Sequence, residues 1–431
     1  MRLLHVMQRY WPAVGGAERY WQEISERAAH DGDSVQVYTT NAQDIELFWE
    51  PGRAAIGEPA AVYNGVQIRR FPVRHLFPSA IGYRAIRRAL AEASDLNLPL
   101  SLLIPLAQSA PYCPDLARAL RDAPGPFDLI AGVNIVYEGL LFAALECARA
   151  DRIPFVLCPF THLGEPGNRS VGRFYTMRHQ VWLSSQSDAV FVSTDSEAEF
   201  YRSRGVSPER MITMGSGVTP EKILGGSGQR GRDKFGLERP LILFIGTVST
   251  DKGARQSVEA MAELMARGVD AELALAGTPL DEFRRFYAGL PEAVRARCHL
   301  LGVVSDEDKK DLLDACRVLV LPSRTDLFPT VYLEGWLYEK PVIGARAGGV
   351  PDVIDHEQDG LLVDFGDGRG MADALARLLE DSALSARMGE KGCAKVYARY
   401  TWDRLYGRAR AVYERLVARE SIAELSWANE Q

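Results

Sequence analysis

The sequence predicts an α/β protein built on mostly parallel sheets. Short apolar runs recur along the chain, segments with helical spacing lie between most of them, and glycine-bearing loops punctuate the transitions. Arg2–Met7 opens as an apolar run. Gly15-Gly16 marks a loop, and Ala17–Ala29 follows with helical spacing. Ser34–Thr39 alternates toward a second strand. Later strand candidates are Asp128–Ala131, Ile153–Leu157, Ala189–Val192, Leu241–Ile245, Ala271–Ala276, Val318–Leu321 and Pro341–Gly344. Thr401–Arg419 sets Trp402, Leu405, Tyr406, Ala409, Val412, Tyr413 and Leu416 on one stripe, which predicts a long amphipathic helix. Residues 221–239 break the composition with Gly225-Gly226-Ser227-Gly228-Gln229-Arg230-Gly231-Arg232 and read as an interdomain linker. The expected domains are therefore 1–220 and 240–400, each with its own strand–helix alternation.

The chain has 431 residues, enough for two or three domains with cores of their own. Its 50 basic and 57 acidic residues give a net charge of −7, which argues against a protein that coats nucleic acid. No two of the six cysteines stand within three residues of each other, so no CxxC pair exists. Thinly spread thiols suit a reducing compartment as buried small hydrophobes. The apolar run at Met1–Met7 is too short for a signal peptide. Leu96–Pro111, the nearest approach to a membrane span, is interrupted by Pro99, Pro105, Asn97 and Gln108. A cytoplasmic protein is the expectation.

Several motif matches fail on context. Gly226-Ser227-Gly228-Gln229-Arg230-Gly231 satisfies GxGxxG without a convincing strand before it. Asp31-Gly32-Asp33 falls between a helix and a strand, where a polar turn is expected. Asp306-Glu307-Asp308 follows Ser305 and reads as an N-cap with first-turn acids. No Gly-Lys dipeptide supplies a P-loop lysine.

One stretch points to chemistry. After Val318–Leu321 come Asp326 and, with seven residues between, Glu334. Asp326 falls in a loop at the carboxyl end of a strand, where open α/β sheets bind ligands. Glu334 falls about one turn inside the next helix, whose N-terminus suits an anionic ligand. Taken alone, the spacing also fits a capping Asp and a solvated helical Glu.

The Asp326-x7-Glu334 stretch, Gly15-Gly16-Ala17-Glu18, Lys252-Gly253, Leu301-Gly302-Val303-Val304-Ser305 and Gly348-Gly349-Val350-Pro351-Asp352 occur in one order. Together they resemble a retaining GT-B glycosyltransferase of family 4, glycosyltransferase group 1. The resemblance covers the chain from Arg2 to about Tyr413. It implies two Rossmann-like domains facing across a cleft, with a C-terminal helix, 401–425, completing the first. It also implies a nucleotide-sugar donor on the C-terminal domain, a sugar or lipid-linked acceptor, and neither cofactor nor metal.

The resemblance assigns residues as well. Lys252 stabilises the departing phosphate, a cation's task where no metal serves. Gly15 and Gly16 let backbone approach the phosphates. Glu334 holds the donor ribose, and Asp326, where the family usually has Glu, contacts the donor sugar. Phe328, Pro329 and Thr330 form the turn beside sugar and phosphate, and Val304 lies near the base. His162 stands beside the transferring sugar. The family's second phosphate-binding cation falls on Thr247 here. Arg9, Arg169, Arg173 and Arg324 are the candidate replacements. Alternative readings are a non-catalytic sugar-binding or scaffold protein of the same fold, and an epimerase or phosphorylase.

Pro59–Ala91 holds no Asp or Glu but six arginines: Arg69, Arg70, Arg74, Arg84, Arg87 and Arg88. With the apolar Leu96–Pro111, residues 59–111 suit a peripheral contact with anionic membrane. A solvated helix face, or arginines paired with acids elsewhere, is the competing reading.

Overall fold

The computed structural model describes residues 1–425 apart from Val14, Ala123, Pro124, Pro126, Pro166 and Glu424. The chain divides into two compact units. Unit 1 comprises Met1–Leu163, Ser170–Gly215 and the chain from Leu405; unit 2 comprises Gly164–Arg169 and Ser216–Arg404.

Unit 1 holds β1 (Arg2–Met7), β2 (Ser34–Thr40), β3 (Ala60–Tyr63), β4 (Val66–Phe71), β5 (Leu129–Val133), β6 (Phe155–Cys158), β7 (Ala189–Val192) and β8 (Met211–Thr213). They form one sheet in the order β3-β4-β2-β1-β5-β6-β7-β8. Every neighbouring pair is parallel except the β3–β4 hairpin. Unit 2 holds β9 (Leu241–Ile245), β10 (Glu272–Ala276), β11 (Cys298–Gly302), β12 (Val318–Leu321), β13 (Val342–Ala345) and β14 (Gly360–Val363). Its sheet is parallel throughout, in the order β11-β10-β9-β12-β13-β14. Both units are thus doubly wound. Strand order reverses between β1 and β5 in one and between β9 and β12 in the other, and loops leaving the carboxyl ends there frame a ligand crevice.

The nine strands expected from spacing all form, with ends displaced by at most about two residues. Central strands such as β5 and β12 are buried along their whole length, which accounts for their unbroken apolar runs. Five strands escaped the pattern. β3 alternates between exposed and half-buried positions and β4 begins by alternating between buried and exposed ones, around Asn64-Gly65, both at positive φ, as in a tight hairpin turn. β8 has only three residues. β14 begins at Gly360, where a Cβ would come within 2.6 Å of the Val342 carbonyl oxygen. β11 begins with Cys298-His299 and ends at Gly302, with only its first residue fully buried.

Residues 221–239 depart from the linker expectation, since they lie within unit 2 and include most of two helices, Pro220–Ile223 and Gly228–Phe235. The glycines serve close packing against the Asp306–Ala315 helix. A Cβ on Gly226 would come within 2.2 Å of the Lys310 carbonyl oxygen, and one on Gly231 within 3.1 Å of the Asp311 backbone. Arg230 donates to Asp311 at 2.5 and 2.6 Å and to Glu307 at 2.7 Å. Lys234 reaches Asp308 at 2.5 Å. The composition that resembles flexible chain is therefore a tight helix–helix seam edged with ion pairs.

The Trp402–Val417 helix begins in unit 2 and continues in unit 1 from Leu405. Within unit 1, Tyr413 stacks on Phe191, Tyr406 donates to Asp31 at 2.8 Å, and Arg410 donates to Asp33 at 3.0 Å. Asp31 and Asp33, one of the DxD matches, are thus engaged by this helix.

Gly226→Ala tests the seam. Overpacking against the Lys310 backbone is expected to lower stability by about 1–3 kcal/mol in urea denaturation. A flexible linker would accept the methyl group without effect.

Candidate functional site

The carboxyl edge of the unit 2 sheet gathers three loops. The β9 loop carries Asp251-Lys252-Gly253, the β12 loop Ser323–Phe328, and the β13 loop Gly348-Gly349. Glycine is required twice by close approach. Gly253 has φ 80°, and a Cβ there would come within 2.4 Å of the Pro322 carbonyl oxygen. Gly348 has φ 58°, and its Cβ would come within 2.4 Å of the Asp326 carbonyl oxygen. That same oxygen accepts the Gly349 N–H at 2.9 Å, and the Arg324 N–H donates to the Asp251 carbonyl oxygen at 3.1 Å.

Charged side chains stand on this frame. Lys252 donates to Asp326 Oδ1. Among the described residues Asp326 Oδ2 is buried with no hydrogen-bond partner, an acceptor left open. Arg324 donates from Nε at 2.9 Å and Nη2 at 2.5 Å to Asp251 Oδ1. Phe328, half-buried, packs edge-on against Tyr400, and Pro329 caps the Thr330–Leu337 helix. The first N–H groups of that helix have no intrahelical acceptor. Glu334 lies one turn in and accepts from Lys309 at 2.9 Å. Lys309 was not singled out by the sequence; its signal was only a Lys-Lys pair after first-turn acids. Val304 is half-buried against the unit 2 core, and Thr247 is exposed on the β9 loop. The Asp306-Glu307-Asp308 match is a cap: Ser305 Oγ accepts the Asp308 N–H at 3.1 Å.

Unit 1 carries the other expected residues at its own carboxyl edge. Gly15 caps the Gly16–His30 helix, and a Cβ there would come within 2.2 Å of Glu18 Oε2. Gly16 has open space beside it. Buried Glu18 accepts from Arg9 Nε at 2.9 Å and Gln8 Nε2 at 3.2 Å. His162 is half-buried with its ring 4.9 Å from that of Tyr175. The loop before it is pinned by fully buried Glu197, which accepts the Thr161 N–H at 2.6 Å and the Ser193 N–H at 2.7 Å. Burial pushes the Glu197 carboxyl up to about 7 against the pull of those two bonds. Nothing in the sequence marked Glu197, because its donors, the Thr161 and Ser193 N–H groups, lie on two separate loops.

Four of the six clustered arginines are engaged inside unit 1. Arg69 donates to Tyr38, Arg70 to the Trp11 carbonyl oxygen, Arg74 to Asp115 and Arg87 to buried Glu138. Arg84 and Arg88 are exposed on the Ala80–Asp95 helix. Near them in sequence, Leu76, Ile81, Leu96, Leu98, Leu102 and Leu106 are also exposed. Among the described residues no helix is long and apolar enough to cross a membrane.

Two family models match the chain: glycosyl transferases group 1 over residues 229–395 and glycosyl transferase 4-like domain over residues 15–217. Among curated proteins, the chain is 29% identical over 187 residues to alpha-D-kanosaminyltransferase of Streptomyces kanamyceticus, covering 43% of this chain and 48% of that one. It is 28% identical over 255 residues to D-inositol 3-phosphate glycosyltransferase of Corynebacterium glutamicum, covering 56% and 60%. The aligned region therefore spans about half the length of these relatives. Among solved structures, HepE of Anabaena in complex with UDP and glucose superposes with a TM-score of 0.69 at 18% identity, covering 96% of this chain and 99% of that one. Sucrose-phosphate synthase from Thermosynechococcus elongatus gives 0.70 at 18%, covering 97% and 100%. These likenesses establish the fold.

The Glu197 carboxyl carries a stability signature. Its folded value near 7 lies above the ordinary value of 4.5, so the native state holds a proton that the unfolded chain releases between those values. That contribution is complete below about pH 4.5 and lost as pH rises through about 7. Melting midpoints measured from pH 5 to 8 should therefore fall more steeply for the wild type than for Glu197→Gln.

Proposed function

The chain belongs to the group 1 glycosyltransferases, and on that premise we propose that it transfers a sugar from a nucleotide-diphosphate donor to a hydroxyl acceptor. The observation that carries this reading is the convergence, at the unit 2 switch point, of Lys252, Asp326 and the Thr330 helix start, with Glu334 one turn beyond. Structural neighbours solved with UDP and with UDP-glucose support a nucleotide-sugar donor.

The chemistry follows from charge. Departure of a nucleoside diphosphate leaves negative charge on a phosphate oxygen and positive character on the sugar carbon. Lys252 and the helix N–H groups oppose the first, doing without a metal. The open Asp326 Oδ2 accepts from a donor-sugar hydroxyl, and Glu334, released from Lys309, accepts from the ribose hydroxyls. The transfer retains configuration by front-face attack. The acceptor oxygen bonds to the sugar carbon as the phosphate leaves, and the acceptor's proton passes to the departing phosphate oxygen. His162 and the Gly15-Gly16 backbone, on unit 1, are assigned to the sugar and the phosphates by family likeness.

A melting panel with UDP, GDP, ADP and CMP, with and without EDTA, tests the donor site. One diphosphate at 100 times its dissociation constant should add about 2.7 kcal/mol of stability, unchanged by EDTA. Lys252→Ala should lower kcat by about 10²–10³-fold. Glu334→Ala should weaken nucleotide binding by about 1.5–3 kcal/mol. No shift with any nucleotide would favour the sugar-binding scaffold reading instead.

The acceptor side is proposed to work at an anionic lipid surface. Support comes from the exposed Ile81, Arg84 and Arg88 on the Ala80–Asp95 helix, followed by exposed Leu102 and Leu106 in Leu96–Pro111, a stretch free of charged residues. Each basic residue near such a surface contributes about 1 kcal/mol. Sedimentation with phosphatidylglycerol vesicles at low salt should carry the wild type down. Both Leu102→Asp/Leu106→Asp and Arg84→Ala/Arg88→Ala should remain in solution. Wild-type protein left in the supernatant would refute lipid docking.

A further inference from the structure

We propose that Arg324 is a diphosphate-binding residue of unit 2, sharing the leaving group's charge with Lys252. The inference rests on the nucleotide-diphosphate reading given above.

Two ion pairs cross between the β9 and β12 loops. Asp251 and Lys252 are adjacent on the first loop; Arg324 and Asp326 stand two apart on the second. Asp251 pairs with Arg324, and Lys252 pairs with Asp326. Each pair takes one partner from each loop, so both cations are held beside the switch point. The Arg324 backbone is fixed there as well, through its N–H bond to the Asp251 carbonyl oxygen.

The guanidinium has binding capacity to spare. It carries five N–H donors in a planar fork. Asp251 Oδ1 takes Nε and one hydrogen of Nη2. Among the described residues Nη1 makes no hydrogen bond, and the Glu165 carboxylate stands 3.9 Å from it. The edge formed by Nη1 and Nη2 therefore keeps three hydrogens, enough for a two-pronged grip on phosphate oxygens. The Phe365 ring lies 5.2 Å from the guanidinium carbon and steadies the plane. With Arg324 at 37% and Asp251 at 56% side-chain exposure, this is a hydrated pair, whose weak mutual hold yields to a multiply charged ligand.

Charge demands such a partner. A nucleoside diphosphate carries several negative charges, whereas Lys252 offers one positive charge already matched by Asp326. Thr247, exposed on the same loop, offers none. Of the other candidate arginines, Arg9 is held by Glu18 and Gln43, and Arg173 by Glu92 and Asp95, all within unit 1. Arg324 shares its loop pair with Lys252.

The experiment is calorimetric titration of the full chain with UDP, GDP or ADP, whichever the melting panel selects, and with the matching monophosphate. Arg324→Ala should weaken the diphosphate at least tenfold and the monophosphate far less. Arg324→Lys should recover part of the loss, since charge returns without the fork. Asp251→Asn breaks the loop pair but keeps the cation, and should leave diphosphate affinity equal or tighter. Equal losses in Arg324→Ala and Asp251→Asn, or equal effects on both nucleotides, would mean a loop clamp and overturn the inference. Unchanged binding by Arg324→Ala in a wild type that binds diphosphate overturns it too, with the donor reading intact. A wild type that binds none of the three diphosphates removes the donor reading itself.

Discussion

Three loops at the carboxyl edge of the unit 2 sheet come together closely enough that a single methyl group on either of two glycines would collide with a neighbouring carbonyl oxygen. Gly253 against Pro322 and Gly348 against Asp326 set the distance between the ends of β9, β12 and β13. Everything charged in the site depends on it. The Lys252–Asp326 and Asp251–Arg324 pairs each reach from one loop to another, and both are possible only because the backbones lie this near. The same closeness fixes the start of the Thr330–Leu337 helix, whose unsatisfied N–H groups supply the remaining positive field.

The resting electrostatics are balanced. Lys252, Arg324 and Lys309 each have a carboxylate, respectively Asp326, Asp251 and Glu334. Those pairs are part-exposed, so their net worth is small and they exchange readily for a ligand. Under the proposed reaction, in which the site takes up a diphosphate sugar and releases a diphosphate, such pairs serve both steps. The cations are oriented without being spent, and the acids are free to receive hydroxyls once the cations turn to phosphate.

Unit 1 uses burial where unit 2 uses exposure. Glu18, Glu138 and Glu197 lie inside, each bonded by named donors at the carboxyl edge of the sheet. For Glu138, burial works against the charge, but Arg87 and the bond from His179 prevail and hold its carboxyl below the ordinary range. For Glu197 burial outweighs the bonds from Thr161 and Ser193, and its carboxyl goes the other way. Two buried acids of one type thus depart from the ordinary carboxyl value in opposite directions, according to whether burial or the surrounding donors and charges prevail. The six cysteines show the same economy as small hydrophobes: five are buried, and burial pushes Cys113, Cys298 and Cys316 up to about 12, far from reactive thiolates.

The sequence by itself determined the fold class, the nine principal strands and the loops that carry the site. Apolar period and glycine punctuation are local properties, and a strand buried on both faces cannot hide its apolar run. The ordered motifs likewise marked Lys252, Asp326 and Glu334 without coordinates. What only the tertiary structure decided is contact between distant segments. No local pattern reveals that Gly226 and Gly231 press against the Asp306–Ala315 helix, so a packed seam read as a linker. No spacing connects Glu197 with Thr161, Lys309 with Glu334, or Asp251 with Arg324. The arginine cluster shows the limit most plainly, because composition sees six like charges while the fold turns four toward partners and leaves Arg84 and Arg88 at the surface. Side-chain direction is set by which backbone elements meet, and that meeting exists only in three dimensions.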